Sequence, residues 1–203
     1  MDYDYSIKSD HIDYGFINGN SNSNGNGNHK IVFIKTGLGG NYVGYENKYL
    51  IMAHQLRQKY GCSVIVASNP HDGQSHVSQD RQMIEQYIAD KQIRFPELYF
   101  FGNSNGGTKG LQLADAGVAF RKMILVNMPL MINFHKTKRY ISEIPQTKIL
   151  AVYGEKDPSY SYIPFLDGRA ENVTVMVVPK ADHNFKGMLQ EFIALSDLLM
   201  NEI

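Results

Sequence analysis

A single cysteine, no excess of either charge and no long apolar run set the first limits on this chain of 203 residues. Cys62 has no partner for an internal disulfide, which fits a reducing, cytoplasmic setting. It is followed by Ser63-Val64-Ile65-Val66, so it reads as a small residue opening a buried strand rather than a reactive thiol. Lys and Arg together number 20, as do Asp and Glu. With no basic stripe, that balance argues against a nucleic-acid partner, because gripping a polyanion takes clustered positive charge. The apolar runs are far shorter than the roughly 20 residues that cross a bilayer, so no membrane span is expected. The N-terminus, Met1-Asp2-Tyr3-Asp4-Tyr5, has neither the basic region nor the apolar stretch of a secretory signal.

What the chain does have is enough apolar material for a core, at 43% hydrophobic residues, and a length that suits one domain over 1–203. Tyr3, Tyr5 and Ile7, then Ile12, Tyr14 and Phe16, recur at a spacing of two on either side of Ser9-Asp10, the pattern of a strand pair with half-buried faces. Residues 18–28 are only Asn, Gly and Ser, which favour turns and offer nothing to a core; a flexible surface loop is expected there.

Six short apolar runs follow: 31–34, 64–67, 98–101, 123–126, 149–153 and 173–178. They are continuous rather than alternating, as in parallel strands covered on both faces. Amphipathic stretches separate them. Leu50, Met52, Leu56 and Tyr60 belong to a helix that stops at Gly61, and Phe192 to Leu199 form a terminal helix. Met83, Ile84, Tyr87 and Ile88 share a helical face, with Asp80, Gln82 and Gln86 expected elsewhere on the surface. Alternation of this kind implies an α/β fold, a doubly wound and mostly parallel sheet with helices on both faces. Such sheets bind ligands beyond the carboxyl ends of their strands, so the loops after the runs are where chemistry belongs.

Two of those loops are glycine-rich. Thr36-Gly37-Leu38-Gly39-Gly40-Asn41 begins like a dinucleotide fingerprint, but Tyr42 stands where its third glycine should be and no acid ends the next strand. Gly102-Asn103-Ser104-Asn105-Gly106-Gly107-Thr108-Lys109-Gly110 fails as a phosphate loop, because Lys109 is one position out of register and Gly110 has no hydroxyl for a metal. The same loop satisfies Gly102-x-Ser104-x-Gly106 without adjustment, directly after a strand and opening a helix. In that arrangement the serine occupies a strained turn and its neighbours two away must be small, with Gly107 relieving helix–strand packing.

A serine hydroxyl needs a base to take its proton, and the base needs an acid to fix its tautomer. Both appear downstream in later loops. His183 follows the last run, in Ala181-Asp182-His183-Asn184-Phe185. The preceding strand runs into Gly154-Glu155-Lys156-Asp157-Pro158, where Asp157 is the expected acid and Glu155 its rival in the same loop. Asp182 is adjacent to His183, and adjacent side chains do not normally meet across that geometry. Two backbone N–H donors should face a developing oxyanion: Asn105, at a helix N-terminus, and Leu38, in the first glycine-rich loop. His71, Asp72 and His76 match no standard metal spacing and are expected at the rim of the same cleft.

From the first parallel strand onward these elements resemble, in order, the α/β-hydrolase superfamily, with residues 2–17 standing where that family has antiparallel leading strands. The resemblance implies Ser104 as nucleophile, His183 as base and then acid, Asp157 as orienting acid, Leu38 and Asn105 as the oxyanion hole, and Gly102 and Gly106 as elbow glycines, with no cofactor and no metal. It implies a serine hydrolase acting on a small-molecule ester or thioester, a peptidase or lactonase using the same triad, or a hydrolase-fold protein that binds without turnover. Two departures matter. Thr36-Gly37 replaces the common His-Gly, and the segment 127–147, where larger members carry a lid, is short enough to be only a minimal cap. An open site for small or exposed acyl groups follows. Lys136, Lys138 and Arg139 in that segment read as a solvated charged face, with attraction of an anionic substrate as the alternative. Neither the leaving group nor the oligomeric state is written in the sequence.

Overall fold

The computed structural model describes residues 1–9, 11–20, 29–132, 134–166, 168 and 170–201. Most of the expected Asn/Gly loop, 21–28, lies outside the described residues. The rest is built around one eight-stranded sheet. Its strands are β1 (Tyr5–Ser9), β2 (Ile12–Ile17), β3 (Lys30–Lys35), β4 (Ser63–Ala67), β5 (Glu97–Asn103), β6 (Phe120–Val126), β7 (Lys148–Gly154) and β8 (Val173–Val178). They lie in the order β1-β2-β4-β3-β5-β6-β7-β8. β1 and β2 are antiparallel to each other, and β2 to β4; every other pairing is parallel.

The six apolar runs are the six parallel strands. Successive residues turn to opposite faces, so Ile31 and Phe33 enter one core while Val32 and Ile34 enter the other. Helices α2 (Val77–Asp90), α3 (Asn105–Asp115) and α4 (Phe134–Glu143) cover the first face; α1 (Lys48–Tyr60) and α5 (Leu189–Ala194) cover the second. α1 ends as expected: Gly61 adopts φ 68° and its N–H reaches the Arg57 carbonyl at 2.8 Å.

Three local expectations need correction. β1 is exposed along most of its length and β2 almost wholly buried, because β1 is the sheet edge while β2 is flanked by β1 and β4. β8 is only partly buried, since it is the opposite edge. The terminal helix is two pieces, α5 and a 3₁₀ helix over Leu195–Leu199. Cys62 is buried just before β4, and burial pushes its thiol up to about 11, as suits an inert core residue.

The strand order reverses at β3, whose neighbours are β4 and β5. Lys35 pairs with Gly102 at the carboxyl ends of β3 and β5, so the two glycine-rich loops emerge side by side at the switch point.

Candidate active site

Ser104 sits between β5 and α3 at φ 52° and ψ −126°, a conformation that costs a non-glycine residue about 1–3 kcal/mol and persists only when its surroundings enforce it. The enforcement is visible. The Ser104 N–H is held by the Val126 carbonyl at 2.7 Å, and the Ser104 carbonyl accepts from Gly107 N–H at 2.9 Å. A Cβ on Gly102 would stand 2.7 Å from the Gly107 backbone, and one on Gly106 would run into the Lys35 and Thr36 carbonyls. Gly107 thus stands at a close helix–strand contact, its backbone against Gly102 of β5, and Gly110 makes a second one against the Phe100 ring.

The His183 Nε2 lies 2.9 Å from Ser104 Oγ, and its Nδ1 lies 2.5 Å from Asp157 Oδ2. The structure therefore joins these three residues, drawn from three loops, in one hydrogen-bonded line. Asp157 is 4% exposed, and its other oxygen accepts from the Ser159 N–H at 2.7 Å, so both carboxylate oxygens are engaged. Glu155 points elsewhere: its Oε2 accepts from the Lys180 N–H at 2.8 Å and braces the turn after β8. Asp182 folds back onto its own loop, with Oδ1 accepting from the N–H groups of Asn184 and Lys186 at 3.0 Å each. These backbone donors, Lys186 N–H foremost, hold its carboxyl below the usual range.

Leu38, in the loop after β3, and Asn105, at the start of α3, both follow strand ends at this switch point. A Cβ on Gly37 would lie 3.5 Å from Ser104 Cβ, so the loop of Leu38 packs directly on the elbow. Thr36, buried, donates its hydroxyl to the Gly40 carbonyl at 3.0 Å and closes the loop from within, a role a His there would fill differently. Among the described residues the Leu38 N–H has no acceptor. Asn105 is the first residue of α3, where a backbone N–H has no intrahelical acceptor.

Three residues that the sequence reading passed over hold this arrangement together. Asn127, fully buried at the end of β6 with φ 49°, accepts from Gly154 N–H at 2.8 Å and donates to the carbonyls of Asp182 and His183 at 3.1 and 2.9 Å. It staples the end of the acid-bearing strand to the histidine loop. Asn69, also buried, donates to the Thr36 carbonyl and to Asn105 Oδ1 at 3.0 and 3.1 Å, while its backbone pairs with Gly39 and Gly40. Tyr49, buried on α1, has its phenol pushed up by burial, while the neighbouring Asn103 side chain and Gly37 backbone pull it the other way. No period or shared spacing marks the two amides in the sequence: Asn127 directly follows the run 123–126, whereas Asn69 stands two residues beyond 64–67.

The His71–His76 segment is not a simple rim. His76 is buried at the start of α2, with Nε2 2.8 Å from Asp72 Oδ2 and Nδ1 2.7 Å from Gln79 Oε1, whereas His71 is exposed. Among the described residues, no group of three or more His, Cys, Asp or Glu is placed to hold a metal ion.

No protein-family model and no curated protein matches the sequence. Solved structures do match its shape. Est1E from Butyrivibrio proteoclasticus superposes with a TM-score of 0.72 at 14% identity, over 97% of this chain and 96% of that one. A dienelactone hydrolase from Anabaena variabilis gives 0.70 at 15%, over 98% and 96%. An S-formylglutathione hydrolase from Staphylococcus aureus gives 0.72 at 16%, over 97% of both chains.

Proposed function

On the α/β-hydrolase fold that it shares with these structures, we propose that the chain is a serine hydrolase cleaving an ester or thioester of a small or exposed acyl group. The observation that carries this reading is the line Ser104 Oγ–His183 Nε2 at 2.9 Å and His183 Nδ1–Asp157 Oδ2 at 2.5 Å, anchored on a strained Ser104. Two of the similar structures are named as hydrolases, which supports bond cleavage by water.

In this reading His183 Nε2 takes the Ser104 proton as Oγ attacks the carbonyl carbon. The oxyanion that forms accepts from the N–H groups of Leu38 and Asn105, where fixed donors in a partly dry site are worth more than in water. Asp157, its second oxygen already occupied by Ser159, keeps Oδ2 aimed at Nδ1 and stabilises the imidazolium. Collapse of the intermediate breaks the bond to the leaving oxygen or sulfur, which takes the proton from Nε2. Water then gives a proton to Nε2 as it attacks the acyl-enzyme; the acid departs and Ser104 regains its proton.

The choice of a small or exposed acyl group follows from the segment 127–147. It carries one helix, α4, which packs on α3 as part of the sheet's cover, and leaves Met131 and Ile132 exposed. The test is hydrolysis of 4-nitrophenyl acetate and butyrate by the wild type and Ser104→Ala. Turnover should fall by about 10⁴-fold or more in the variant. A wild type without activity, or turnover that survives in Ser104→Ala, would return the chain to the non-catalytic reading or move the chemistry elsewhere.

No helix among the described residues is long and apolar enough to cross a membrane.

A further inference from the structure

A cavity of about 430 Å³ opens beside the histidine loop. Its walls include Glu46 and Lys48 on one side and Asp182, Asn184, Phe185 and Phe192 on the other. The residues on either side of His183 in the chain thus both line it. That position has a mechanistic meaning. The atom that leaves must take its proton from His183 Nε2, so the leaving group has to lie on the histidine's side of the scissile bond.

The lining also has a distinct chemistry. Phe185 and Phe192 meet edge to face at 5.3 Å and back the wall, almost wholly buried, while the apolar surface open to the cavity comes from Tyr45 and Leu189, beside a second lysine, Lys186. The Lys48 ammonium lies 4.3 Å from the Phe192 ring centre and 5.0 Å from that of Tyr49. Lys48 makes no ion pair among the described residues, and burial lowers its pKa. The two carboxylates of the wall do not neutralise it: Asp182 is turned onto backbone N–H groups of its own loop, and Glu46 is exposed. A half-buried ammonium beside accessible apolar side chains, without a carboxylate of its own, is a site for an anion attached to an apolar body.

We propose that this cavity is the leaving-group subsite, and that it takes an alcohol or thiol with an aromatic or similarly flat apolar body bearing a carboxylate. The ring lies against Tyr45 and Leu189, and the carboxylate meets Lys48. The assignment rests on the serine-hydrolase reading and adds to it the class of the group released.

The experiment compares two acetate esters with the same acyl group, those of 3-hydroxybenzoate and of its methyl ester. The wild type should prefer the carboxylate by about tenfold in kcat/KM. In Lys48→Met, which keeps the aliphatic contact with Phe192, the ratio should fall to about one. Calorimetry with 3-hydroxybenzoate and Ser104→Ala should give binding that weakens about tenfold when Lys48→Met is added. Labelling of Ser104 by a fluorophosphonate reports on hydrolase chemistry separately. Equal rates for the two esters in a wild type that labels, with no binding that depends on Lys48, overturn the subsite and leave the hydrolase standing. The wild-type comparison needs no variant, so a Lys48→Met chain that failed to fold would still leave the proposal exposed to refutation.

Discussion

Asp80 and Asp157 are two buried aspartates, 0% and 4% exposed, each set against a basic side chain at hydrogen-bonding distance. Asp80 is held between Lys35, whose Nζ lies 2.8 Å from Oδ2, and the Tyr14 hydroxyl, which donates to Oδ1 at 3.0 Å. Its partner's side chain is 1% exposed. The partner of Asp157 is His183, 38% exposed, whose second nitrogen reaches Ser104. Burial alone therefore does not make a carboxylate chemical. What separates the two is whether the partner can pass a proton onward to a group that substrate can reach. The Lys35–Asp80 pair ties the end of β3 to α2; burial pushes the Asp80 carboxyl up while Lys35 pulls the other way.

Breaking each carboxylate should have opposite consequences. Asp157→Asn should lower kcat by about 10⁴-fold, because the amide presents the wrong partner to the imidazole, while thermal unfolding stays close to that of the wild type. Asp80→Asn should instead lower stability by about 3–5 kcal/mol in denaturant unfolding, since the Lys35 charge is then buried without its counter-ion. The folded fraction should keep kcat within about tenfold of the wild type. The smallest effect belongs to Glu155→Gln, measured in the same ester assay. Its amide oxygen can still accept from Lys180 N–H, and activity should change by no more than about twofold. A large loss there with a small one in Asp157→Asn would exchange the roles of the two residues.

The contrast also shows what a sequence carries. Strand positions were legible because continuous apolar runs have a length and a boundary; the exposed edges were not, since exposure depends on which strand has no outer neighbour. Ser104, Asp157 and His183 were legible as candidates because each follows a run at the carboxyl end of a strand. Their mutual geometry was not, for it depends on Asn127 and Asn69, single amides with no period and no spacing to announce them. For Asp80 the pattern misleads: the helical face of α2 puts it at the surface with Gln82 and Gln86, yet it is fully buried. Only the register of β3 against the helices brings it to Lys35. Gly107 and Gly110 make the same point: both are glycines of one helix, and only packing says which of them meets Phe100.

The central claim is that Ser104 is a nucleophile activated by His183. The direct measurement is reaction with a fluorophosphonate, with the adduct located by mass spectrometry of peptides from the wild type, Ser104→Ala and His183→Ala. The account predicts one adduct, on Ser104 in the wild type, absent from Ser104→Ala and formed at least about a hundredfold more slowly in His183→Ala. An adduct on another residue, or labelling of the His183→Ala protein at the wild-type rate, would contradict it.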